Sequence, residues 1–210
     1  DDGASPVQGP FDDHSVTVSS DSMGSLTLYG HGGGSATSAM DATAAGNVWD
    51  TFDGARGQVT AIAHSSSAPG NNSLMYTLPT IMDGVEVKLS YEPQQSGNTI
   101  DSGTGYAVTY TGVEGLTLAY SASDEVGTTS DLSGDQTAMK ISYVYGPVTA
   151  TWTQSEFDVV TTTSDQDVTS VAVTYTVSDE MSVTYGTETF ESTNTGHVDA
   201  EYTVLKGSYV

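Results

Sequence analysis

The chain has 210 residues, 27 acidic against 4 basic, a formal net charge of -23 and no cysteine. A field of that sign repels nucleic acid and anionic headgroups and attracts small cations and basic partners, and the absence of cysteine excludes disulfide scaffolds and thiolate metal sites. No apolar run nears the roughly 18 to 20 residues of a membrane helix, which leaves a membrane barrel open, since its strands need only about 9 to 11 alternating residues.

With 23 glycines, 12 tyrosines and abundant Thr and Ser, the composition favours β structure. In chain order, "SVTVSS" turns near Met23 and Gly24 into "SLTLYG". "SLMYTLP" meets "VEVKLSY" across "TIMDG", "YAVTYT" meets "LTLAYS" across "GVEG", and "AMKISYVY" meets "VTATWTQ" across "GP". "SVAVTYTV" meets "MSVTYGTETF" across "SDE", and "VDAEYTVL" opens one more pair across "KG". That makes about twelve strands, each pair closed by a short turn. Between the pairs lie longer segments: residues 31–72, which carry no sustained strand pattern, and polar loops near 93–104, 122–136, 155–167 and 190–197. Strict alternation of short and long connections puts all short turns at one end of a meander. No linker divides the chain, so 1–210 reads as a single all-β domain.

One face of the aligned strands is aliphatic and aromatic, with Val85, Val87, Leu89 and Tyr91, then Tyr106 and Tyr110, Leu118 and Tyr120, Val171 and Tyr175, Val183 and Tyr185, and last Val198 and Tyr202. The other carries threonines with Glu86, Glu92, Glu188, Asp199 and Glu201, and Lys88 and Lys140 as its basic exceptions. A soluble, surface-anchored acidic β-sandwich of adhesin or surface-layer type gives the same alternation with the apolar face as its core. Tyrosines at strand ends and an uninterrupted up-and-down series favour a transmembrane antiparallel β-barrel, whose apolar face meets lipid.

The run "SMGSLTLYGHGGGSATSAMD", the loop through "NVWDTFDGARG" and the exit "NNSLMYTLPTIMDGVEVKLSYEP" resemble the general porins of alphaproteobacterial outer membranes. The resemblance is concentrated in residues 22–92 and implies an outer-membrane channel of a Gram-negative bacterium for passive diffusion of small hydrophilic solutes and cations. It also implies a homotrimer in contact with lipid and lipopolysaccharide, a barrel of about sixteen strands of which this chain is an interior segment, and no enzymatic activity. The long loop, 31–72, would then fold into the pore as its constriction, with Asp41, Asp50, Asp53 and Arg56 nearest the eyelet. Glu86, Lys88, Glu92, Lys140, Glu188, Asp199 and Glu201 would line the lumen and make it prefer cations. Many porins face their loop carboxylates with a basic wall cluster; with only Lys88, Lys140 and Lys206 outside the loop, a strong transverse field is not expected here.

Other chemistry is weak. His14, His31, His64 and His197 have no ligand spacing, and Gly30 to Gly34 lack the Lys and helix of a phosphate loop. Asn71-Asn72-Ser73 fits a glycosylation sequon by chance. Acidic loops such as "SDEVGTTSDLSGD" offer loose Ca²⁺ binding at most, without the fixed ligand pattern of an EF-hand, and no other metal or cofactor is expected.

Overall fold

The structure is a computed structural model that describes residues 14–40, 42–48, 72–93, 100–127, 134–159, 165–193 and 199–209. Its strands are β1 (His14–Ser20), β2 (Gly24–His31), β3 (Ser73–Thr77), β4 (Val85–Glu92), β5 (Ile100–Tyr110), β6 (Leu116–Gly127), β7 (Gly134–Tyr145), β8 (Val148–Val159), β9 (Gln166–Ser178), β10 (Met181–Ser192) and β11 (Ala200–Tyr209). All eleven form one sheet in chain order, each antiparallel to its neighbours.

The meander follows from the alternating pattern and the turns. Gly84 and Gly115 hold φ of 78° and 76°, a left-handed conformation open to glycine, and a Cβ on Gly115 would stand 2.5 Å from the Val144 carbonyl oxygen. The short turns all lie at one end of the sheet and the longer connections at the other, as the sequence pattern implies. Two expectations change. Gly207 does not turn the chain: β11 runs straight through it, paired with Val183, so the described strands number eleven. The strands also run further towards the long-loop end than the apolar pattern marks, because pairing continues through polar stretches such as Asp124 opposite Asp135 and Asp135 opposite Asp158.

Cα partners in an antiparallel ladder share a face, so the register sorts side chains across the whole sheet. Val87, Val108, Tyr120, Met139, Gln154, Thr169, Thr189 and Glu201 form one continuous row on one face. Glu86, Thr109, Ala119, Lys140, Thr153, Ser170, Glu188 and Tyr202 form a row on the other. The apolar face is bare: Val171, Val173 and Tyr175 are 45%, 44% and 51% exposed. The buried side chains are mainly polar or small, among them Ser121, Gln136, Thr153, Ser155, Ser170 and Glu188, and they lie on the opposite face. This inversion excludes the sandwich, whose apolar face would be its core; among the described residues no second sheet covers it. On the bare face Tyr91, Tyr106 and Tyr120 lie in three successive register rows, and Tyr110, Tyr143, Tyr145 and Tyr175 lie towards the short turns. Tyrosines bordering an exposed aliphatic face suit the interface of a bilayer.

Candidate functional site

The site is the polar inner face and the segment laid on it. After β2 the chain turns inward, and the 3-10 turn Ala36–Met40 packs over β4, β5, β6 and β7. The wall beneath is made of small residues. Ala107 stands opposite Ser121, and Ser121 opposite Ala138; Gly105 stands opposite Ser90 and Ser123. A Cβ on Gly105 would lie 2.9 Å from Ser90 Oγ and 3.1 Å from Ser35 Oγ, so the bare backbone there admits the loop.

Side chains of the wall then take the place of a partner strand. Ser90 Oγ accepts from Ala36 N, Thr153 Oγ1 from Ala44 N and Ser170 Oγ from Ala45 N, each at 2.9 Å. Buried backbone N–H groups need partners, and β4, β8 and β9 each supply one. Between these ties the loop closes on itself: Thr43 Oγ1 accepts from Asn47 N at 2.7 Å and Gly46 N at 3.1 Å, while Asn47 Oδ1 accepts from Thr43 N at 2.8 Å. Gly46 and Asn47 take φ of 86° and 54°, conformations that glycine and asparagine tolerate best. The same Thr43 hydroxyl donates to Glu188 on β10, and Lys206 Nζ on β11 donates to Ala45 O at 2.6 Å. The described loop therefore spans the inner face from β4 to β11.

Of the residues expected at the pore, Glu86, Lys88, Glu92, Lys140 and Glu188 all lie on the inner face. Lys88 pairs with Glu86 at 2.8 Å, and Glu92 and Glu188 are buried. Glu201 is a correction: its Cα partner is Thr189, and it faces outward with Val87 and Tyr120. The parity of β11 is one residue away from the expected one, and such a slip turns every side chain over. Tyr202 is accordingly inside, packed on the buried pair Val168 and Phe190. Asp199 sits exposed at the threshold of β11 and accepts from Ser192 N at 3.2 Å. Asp41, Asp50, Asp53 and Arg56 lie outside the described residues.

Sequence reasoning missed two features. Lys206 is an inner-face residue as well, so lysines from β4, β7 and β11 stand on the inner face together with Glu86, Glu92 and Glu188. The second is an acidic rim on the outer face beyond the apolar band. Asp124, Asp135 and Asp158 are laterally adjacent there, as are Glu156, Asp167 and Glu191. Asp167 lies four positions before Val171, outside the band. Partial desolvation first, then the charges of Glu156, Asp158, Glu191 and Asp165, push its carboxyl above the ordinary value. Among the described residues no group of three or more His, Cys, Asp or Glu is placed to hold a metal ion.

An apolar face turned outward, a polar face turned inward and a loop strapped across the inside define the wall of a transmembrane antiparallel β-barrel of porin type. A family model described as Gram-negative porin matches residues 1–210. The chain belongs to the Gram-negative porin family. Among solved structures, OmpF of Salmonella typhi, in a complex with daunomycin, aligns with a TM-score of 0.68 at 16% identity over 93% of this chain and 65% of that one. A porin refined at 1.8 Å aligns with a TM-score of 0.62 at 14% identity over 93% of this chain and 70% of that one. The chain thus spans 65% of the length of the OmpF chain. A search of curated proteins gives no match.

Proposed function

We propose that the protein forms a water-filled channel in the outer membrane of a Gram-negative bacterium, through which small hydrophilic solutes and ions diffuse passively, and that it works as a homotrimer without enzymatic activity. The observation that carries this is the inverted sheet, with Val171, Val173 and Tyr175 open on the outside and a loop hydrogen-bonded to Ser90, Thr153 and Ser170 on the inside. The loop narrows the channel, and Asp41, Asp50, Asp53 and Arg56 belong to its continuation.

The channel prefers cations. With Lys88, Lys140 and Lys206 offsetting acids on the inner strands, that preference arises mainly at the mouths, where Asp21, Asp83, Glu114, Asp179 and Glu180 crowd the short turns and an acidic rim lies at the other end. Such charges enrich cations near the entrances over a Debye length, about 8 Å at physiological ionic strength. Planar-bilayer conductance of the purified protein under a KCl gradient tests the reading. Steps grouped in threes with a cation-selective reversal potential are expected, and silence from protein that is monodisperse without detergent would defeat it.

A further inference from the structure

The bare face carries a groove of about 560 Å³ where Ala122 stands between Tyr106 and Thr137, with Leu89 beyond Tyr106 and the carboxylates of Asp124 and Asp135 at its rim end. A second depression of about 250 Å³, lined by Leu118, Met139, Ile141 and Trp152, lies in the next rows towards the short turns. We propose that the two together seat a membrane lipid with an ammonium-bearing headgroup, the ammonium between Asp124 and Asp135 and one acyl chain running past Ala122 to Trp152.

Shape, length and charge converge on that occupant. The upper groove falls in the range of about 300 to 1,000 Å³ typical of ligand sites, and its floor is low because Ala122 is the smallest outward side chain of its row. On β8, Asp158, opposite Asp135, and Trp152 are separated by roughly 20 Å of strand at about 3.3 Å per residue. At a strand tilt of about 45° this descends about 14 Å, close to half of a roughly 30 Å hydrocarbon core, so the groove runs the depth of one leaflet. Asp124, Asp135 and Asp158 face one another across β6, β7 and β8, and like charges directly opposite destabilise a sheet. A cation among them turns that repulsion into attraction, and Thr104, whose hydroxyl donates to Asp124, holds one carboxylate in place. All the described lysines on the strands face inward, so the described outer face offers no Lys or Arg to a lipid phosphate. Among the described residues the carboxylates are not grouped to hold a metal ion, whereas an ammonium donates a charge-assisted hydrogen bond to each carboxylate singly.

The proposal rests on the apolar face meeting lipid and not on conduction, and its test separates the two. In a Trp49→Phe background Trp152 is the single tryptophan of the chain. Its fluorescence in the purified full chain is titrated in dodecyl maltoside micelles with dibromostearylamine, dibromostearyl phosphate and dibromostearyl maltoside, whose bromines quench on contact. Half-quenching by the amine at a several-fold lower mole fraction than by either other probe is expected. That advantage is lost in Asp124→Asn/Asp135→Asn and in Ala122→Phe, which fills the groove, and is kept in Asp83→Asn/Glu114→Gln, an equal change of charge at the short-turn end. Should one groove variant not fold, the other carries the comparison. Equal half-quenching by the three probes overturns the proposal, as does an amine advantage undiminished in the groove variants, which the net charge of the whole chain would then explain. A phosphate that overtakes the amine once CaCl₂ is added overturns it in favour of an anionic lipid bridged by metal. Quenching by none of the probes would defeat the outward facing of the sheet itself, and with it the channel reading.

Discussion

Thr43 carries more of the loop's geometry than any other described side chain, because one hydroxyl closes the loop on Gly46 and Asn47 and reaches Glu188 on the wall. A hydrogen bond to a charged partner is worth about 1.5 to 3 kcal/mol. Thr43→Val should lower stability by about that amount while keeping the side-chain shape, as read by urea unfolding in detergent. Asp167 supplies the opposite case. Its carboxyl is raised, so the folded state binds the proton more tightly than the unfolded chain, and its contribution falls as pH rises from the ordinary Asp range through the raised one. Asp167→Asn should therefore raise Tm at neutral pH, lose that gain as the pH is lowered below the ordinary Asp value, and lose it in high salt, where exposed charges are screened. Neither role was legible in the sequence. A threonine and an aspartate among many gain meaning only when the register brings Glu188 or Glu156 and Glu191 beside them.

Strands and turns were the most legible level, since the apolar alternation in Val85 to Tyr91 or Val171 to Tyr175 has a single physical solution once one face is known to be bare. Illegibility began where both parities carry apolar groups. In β11, Tyr202 and Val204 compete with Leu205 and Tyr209, and only the packing of Tyr202 on Val168 and Phe190 decides which face is inside. The inner trough was hidden for another reason: Gly105, Ala107, Ser121 and Ala138 look like weak strand formers, and their smallness makes sense only beneath a loop. Two predictions belong here. Val173 lies in the middle of the outward run of β9, and Val173→Arg should cost about 2 to 4 kcal/mol if it sits near the bilayer midplane, with Thr174→Arg as the inner-face control; equal costs at both positions would contradict the facing. Gly115→Ala forces a side chain into the left-handed region and against Val144 O, at about 1 to 2 kcal/mol, measurable as a lower midpoint of heat-induced unfolding.

Across the whole molecule, charge is segregated by height and by face. The net charge of -23 suggests an acidic lumen, yet Lys88, Lys140 and Lys206 all stand on the inner strands, and much of the described acid lies on turns and the outer rim. The sequence could not show this, since parity alone separates Glu188 from Glu201. The segregation makes a distinct forecast: cation preference should be strong at low salt and decay steeply above about 0.1 M, where the Debye length shrinks below about 10 Å. Neutralising Glu86 and Lys88 together should leave the reversal potential nearly unchanged, whereas Asp179→Asn with Glu180→Gln should reduce it. A last consequence follows from the loop's attachment. Ser90, Thr153 and Ser170 grip main-chain amides, and Lys206 grips a main-chain carbonyl. Main-chain atoms are the same in every amino acid, so at those contacts the berth is written in the wall and is indifferent to the text of its guest. A different loop of similar length and small bulk, spliced between β2 and β3, should moor at the same four points, which makes the aperture a replaceable part of a fixed frame.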